Sequence, residues 1–198
     1  MPIVKKKTDI LSMVDAIFVT YYNKQLMSKI VNLHDELLNE FEISDDDQNG
    51  IEIKNELIIM DIVIKYIITL EHYKNYYKYN ELKDKLDRKI KQLLADLWGQ
   101  DNLNDLYQFL MKRCYQYQKA FSKEDPIKTI AKMVQLIIEK IAFFDSEQVY
   151  DKATNNDNLY IAADMLAMPV ITHFMPCHIL VGNSIITYRT FLNKWELE

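Results

Sequence analysis

Three glycines and four prolines in 198 residues leave little material for tight turns. Folds built from many short strands need both residues at their connections, so the shortage favours long helices joined by few loops. Cysteine is nearly absent as well. Cys114 and Cys177 stand far apart and form no Cys-x-x-Cys pair, which points to free, reduced thiols and a cytoplasmic protein. Only three of the 24 basic residues are arginine (Arg88, Arg113 and Arg189), and the formal charge is −5. A nucleic-acid partner, which demands a basic face, is not expected. No apolar run reaches the length of a membrane span. Lys5, Lys6 and Lys7 have the charge of a leader sequence, but Asp9 and Asp15 interrupt the apolar stretch behind them, so no targeting segment is read there. The signal of a secreted effector would escape this test. Catalytic motifs are missing too: there is no glycine-rich phosphate loop, no nucleophile elbow and no carboxylate pair of clear acid–base geometry.

What is present is a dense apolar stretch, Leu57 to Leu70, whose clearly polar members are Asp61, Lys65 and Thr69. Spaced four apart, these three form one narrow stripe on a helix and leave the remaining circumference apolar. Such a helix belongs in the middle of a bundle. The expected fold is therefore all-α: a single domain over 1–198 with five or six helices around this central one, a helical core at 8–158 and an irregular C-terminal segment at 159–198.

The other elements are read from periodicity. Residues 8–42 read as helix, capped by Thr8 or Asp9, with a kink or break across Tyr22–Gln25. SDDDQNG at 44–50 reads as a polar loop, and 51–79 as the central helix with its continuation, although IEI at 51–53 also suits a short strand. Leu82, Leu86, Ile90, Leu93, Leu94, Leu97 and Trp98 make one clean helical face, stopped by Gly99. The opposite face, with Lys83, Asp84, Asp87, Arg88 and Lys91, reads as a solvated surface. A fourth helix carries Leu103, Leu106, Leu110, Cys114, Tyr117 and Phe121 inward, and a fifth starts at Asp125–Pro126. Near the end, HILV-GN-SIIT (178–187) sets two β-branched runs around Gly-Asn and is read as a β-hairpin, with a helix from near Ser184 as the alternative.

The most specific local pattern is DDDQNGIEIKNE at 45–56. Asp45, Asp47 and Asn49 occupy positions 1, 3 and 5, Gly50 position 6 and Glu56 position 12 of the pattern D-x-[DN]-x-[DN]-G-x5-E. Over these twelve residues the chain resembles an EF-hand loop. The resemblance implies calcium held by Asp45, Asp47, Asn49, the Ile51 carbonyl, Ile53 or its water, and a bidentate Glu56. Two features depart from the family: position 8 is Glu52 where a hydrophobic residue is usual, and only one such loop exists.

Other metal readings are weaker. The four histidines, His34, His72, His173 and His178, all lack the Glu three residues earlier that ferritin-like di-iron sites use, leaving a meeting of His34 with Glu71–His72 as the only di-iron arrangement. His173, Cys177 and His178 are zinc-type ligands without a matching second pair. Finally, Tyr73, Tyr76 and Tyr77 alternate with Lys74 and Lys78, and tyrosine-rich surfaces are typical of protein interfaces. The functional expectation is a non-catalytic interaction protein (an adaptor, a regulator or a secreted effector) whose partner is another protein. A calcium-binding regulator using 45–56 and a helical-bundle enzyme with a His/Glu metal site are the alternatives.

Overall fold

Asp9 starts the first helix by accepting hydrogen bonds from the Ser12 N–H (2.9 Å) and the Ser12 hydroxyl (2.6 Å). Those bonds hold the Asp9 carboxyl below the usual carboxylate range, the side-chain bond from Ser12 being the largest cause. The structure, a computed structural model, describes residues 5–19, 31–32, 34–35, 38–39, 48–120 and 175–198. In chain order these form β1 (Lys6–Thr8), α1 (Ile10–Phe18), α2 (Gln48–His72), α3 (Tyr79–Trp98), α4 (Leu103–Ala120), α5 (Met175–Leu192) and β2 (Trp195–Leu197). The fold is all-α, with one two-stranded ribbon. Contacts divide it into two compact units, the first holding the described residues 5–19, 61–118 and 184–198, the second those within 28–60 and 119–183.

Within α2 every residue from Glu56 to Thr69 is buried. Its polar stripe is no exception. Asp61 and Lys65, 4% and 7% exposed, form an ion pair at 2.9 Å one turn apart. The Thr69 hydroxyl donates to the Lys65 carbonyl (2.6 Å) and also meets the Tyr188 hydroxyl. A polar stripe is tolerated inside because its charges and hydroxyls find partners there.

In the first unit, α1 buries Ile10, Met13, Val14, Ile17 and Phe18, and α3 buries Leu82, Leu86, Ile90, Leu93 and Leu94. Lys89 reaches from α3 to Asp15 of α1 at 2.8 Å. α3 ends where the sequence says it should: Gly99 takes φ 85°, and its N–H caps the Ala95 carbonyl at 2.9 Å. On α4 the buried residues are Leu110, Arg113, Cys114 and Tyr117.

In the second unit, His34 is buried, with a ring nitrogen 3.3 Å from the Asp35 carboxylate, and Leu38 is buried one turn on.

Three expectations need correction. The hairpin at 178–187 does not form, because this segment lies within α5. Pro176 sits in the first turn, where its missing N–H costs nothing. Val181, Ile185, Tyr188 and Leu192 are all buried, and their spacing of i, i+4, i+7 and i+11 is helical. Burial of that stripe outweighs the local turn preference of Gly-Asn. The polar loop expected at 44–50 gives way to helix from Gln48 onward, while 51–53 is helical as expected. The face of α3 read as solvated contains Asp87, which is an interhelical hydrogen-bond acceptor.

No sequence pattern announces β1 and β2. They pair in parallel with register Lys6↔Trp195, Lys7↔Glu196 and Thr8↔Leu197. The Lys6 N–H donates to the Lys194 carbonyl (2.7 Å), and the Glu198 N–H to the Thr8 carbonyl (3.2 Å). One ribbon face carries Trp195 and the buried Leu197; the other is exposed, with Lys7 paired to Glu198 at 3.1 Å.

Candidate functional site: an aromatic turn and an acidic hub

Between α2 and α3 the chain turns through 73–78, where the three sequence-nominated tyrosines have different fates. Tyr73 is 8% exposed, and its hydroxyl finds no hydrogen-bond partner among the described residues. Burial pushes its phenol up to about 12. The Tyr76 hydroxyl donates to the Glu198 carbonyl at 2.7 Å, fastening the turn to the residue after β2. Tyr77 stands out at 76% exposed.

The rings are nevertheless one assembly. His72 meets Tyr73 edge-on (centroids 4.6 Å apart), Tyr73 meets Tyr76 (6.2 Å), and Tyr76 meets Tyr77 (4.8 Å), geometries that aromatic quadrupoles favour. Lys78 lies over the Tyr77 ring at 5.1 Å, and the neighbouring Tyr77 raises its pKa. His72 is pushed below its ordinary value, by desolvation first and by Lys5 second. Lys6 sits 4.9 Å from the Trp195 ring centroid, which continues through Phe191 to Tyr188 as a second aromatic series. The turn and the end of the ribbon thus meet through Tyr76 and Glu198.

A second cluster centres on Asp87. One oxygen accepts from the Tyr66 hydroxyl (2.8 Å), the other from the Lys83 ammonium (2.7 Å). Lys91 covers the ring of Tyr107 on α4 at 4.6 Å. Burial raises the pKa of Tyr66 and Tyr107, and the Asp87 charge adds to it. Cys114 is pushed up to about 12 by burial and then by Asp87, so its thiol is a poor nucleophile at neutral pH. One carboxylate taking a phenol and an ammonium is well suited to joining α2 and α3. It leaves no activated nucleophile. The sequence offered no signal for it, because Asp87 sits in an alternating charge pattern.

The metal candidates fare unevenly. Asp45 and Asp47 lie outside the described residues. Asn49, Gly50, Ile51 and Glu56 fall within α2, Ile51 exposed and Glu56 buried. An EF-hand loop wraps its ion with a sharp turn at position 6, whereas here positions 4 to 12 are helical. His173 lies outside the described residues, and Cys177 and His178 fall in the first turn of α5. Among the described residues no group of three or more His, Cys, Asp or Glu side chains is placed to hold a metal ion. No helix among them is long and apolar enough to cross a membrane. No protein-family model, curated protein or solved structure matches the chain.

Proposed function

We propose that this chain is a non-catalytic interaction protein, and that the turn at 73–78 with the adjoining ribbon is its recognition surface. The observation that carries this reading is the placement of Tyr77: a large ring left in solvent on top of a fixed aromatic base. Below it, Tyr73 is buried and Tyr76 is tied to the Glu198 carbonyl. A ring held this way loses little freedom on binding, and pre-ordered tyrosines with an apolar body and a polar tip are the residues on which protein interfaces concentrate their energy. Lys74 and Lys78 supply a charged rim. The Asp87 cluster serves stability, since its polar groups are spent on one another.

The test compares partners captured from cells of the source organism by the intact chain and by Tyr77→Ala. Tyr77 is exposed, so its truncation leaves the melting temperature nearly unchanged, and loss of partners reports on recognition alone. We expect at least one partner retained by the intact chain to be lost with Tyr77→Ala. An unchanged partner set would remove the turn from consideration.

A further inference from the structure

The ribbon is incomplete as a sheet. Parallel strands are rarely found as isolated pairs, and two strands of three residues make few backbone bonds. The register shows which groups of β1 are used. Lys6 and Thr8 turn their N–H and C=O towards β2, as the bonds to Lys194 and from Glu198 require. Alternation along the strand then directs the N–H and C=O of Lys7 to the opposite edge, where they have no backbone partner among the described residues.

We propose that this outer edge of β1 accepts an extended acidic segment of another protein as a third strand. The inference rests on the interaction reading above and names the mode and chemistry of one contact within it. Main-chain bonds to an exposed edge provide affinity in strand addition, while side chains select the partner. Selection here comes from Lys5, Lys6 and Lys7, three consecutive exposed lysines in a chain of net charge −5. Lys6 is drawn over Trp195 and Lys7 shares Glu198, whereas Lys5 has no ion-pair partner among the described residues. Lysines on an edge repel a second edge of the same kind. Pairing of β1 with β1 of another copy is therefore disfavoured, and a strand bearing Asp or Glu is favoured. Tyr77 lies on the neighbouring turn, so one partner can engage both.

The edge geometry supplies a clean perturbation. Proline at position 7 removes the outward N–H and leaves the inward bonds of Lys6 and Thr8 in place. Lys7→Ala removes the ion pair with Glu198 and keeps the N–H. Short random peptides displayed on phage are selected against the immobilised full chain, and enriched peptides are then measured against these variants and against Lys5→Glu/Lys6→Glu. The expected result is enrichment of Asp and Glu alternating with β-branched residues. Binding should fall about tenfold or more with Lys7→Pro, the equivalent of one or two backbone hydrogen bonds. It should fall with the double charge reversal and fall less with Lys7→Ala, whose charge is already shared with Glu198. The charge-reversal variant, which leaves the backbone untouched, decides the matter if the Pro variant melts early. The proposal is overturned if no peptide is enriched, if the enriched peptides lack acidic residues, or if binding survives both Lys7→Pro and the charge reversal. Peptides that depend on Tyr77 but not on the β1 edge would overturn strand addition and leave the recognition turn standing.

Discussion

The ion pair between Asp61 and Lys65 offers a stringent test of how this core is held. Both side chains are almost fully withdrawn from water within the buried Glu56–Thr69 stretch of α2, and their charged atoms lie 2.9 Å apart. Replacing Lys65 by Met keeps the length and apolar character of the side chain but leaves the Asp61 carboxylate without its ammonium. Breaking a buried pair in this way costs about 3–5 kcal/mol. For a chain of this size each kcal/mol lowers the melting temperature by about 2–4 °C, so Lys65→Met should melt roughly 6–20 °C below the parent. Asp61→Leu should fall in the same range. The double variant Asp61→Leu/Lys65→Met removes both charges together, and such replacements are often neutral or stabilising. It should therefore be more stable than either single variant, giving a coupling of several kcal/mol in a double-mutant cycle. Calorimetry or circular dichroism on the four proteins distinguishes the outcomes. Additive losses, or single variants costing under about 1 kcal/mol, would mean that the pair behaves as a solvated one, and the account of Glu56–Thr69 as an enclosed stretch would be wrong.

Other sites give shorter tests. Gly99→Ala should cost about 1–3 kcal/mol, because φ 85° with ψ 174° is a conformation reserved for glycine, even though nothing lies within 4 Å of the added carbon; an unchanged melting curve would contradict the cap. Tyr73→Phe removes a buried hydroxyl that has no hydrogen-bond partner among the described residues, and should be neutral or stabilising by up to about 1 kcal/mol, which denaturant titration can measure. Cys114 and Tyr73, raised to about 12, stay neutral in the folded chain while their unfolded counterparts ionise from about pH 9–10. Their contribution to stability is complete below that range and is lost as pH climbs towards 12; ultraviolet titration should show part of the 13 tyrosines ionising only with unfolding, and Cys114 should resist thiol reagents at about pH 8 until denaturant is added. With 48–56 helical, chelator-treated protein should give no heat with calcium, and micromolar binding abolished by Glu56→Gln would show that the start of α2 unwinds to form a loop.

The parts of this fold that could be read in the sequence are those decided within a few turns of chain. The Leu82–Leu94 stripe, the Asp9 cap, the Gly99 stop and the apolar Leu57–Leu70 stretch all draw their structure from neighbours one helical turn away. Lys6–Thr8 could not be recognised as a strand, because its pairing partner is Trp195–Leu197 at the other end of the sequence and lysines have no strand preference of their own. Gly182–Asn183 misled in the opposite sense: a good local turn signal was overridden by burial of Val181, Ile185, Tyr188 and Leu192. At the candidate site, the aromatic content of 73–78 was evident. Which ring faces water was not, since a turn has no fixed periodicity from which to infer Tyr77 outward and Tyr73 inward. Asp87 was hidden for a related reason. Its phenolic donor, Tyr66, comes from another helix, and nothing in its own neighbourhood distinguishes it from Asp84.

The parallel sense of β1 and β2 has a mechanical consequence. Tension applied through residues before Lys6 and after Leu197 pulls the two strands in opposite directions along their length. The bonds between Lys6 and Lys194, and between Glu198 and Thr8, lie across that direction and are loaded together rather than opened one by one. A short ribbon of modest thermal worth can thus act as a shear clamp, yielding abruptly under stretch while contributing little to the melting temperature.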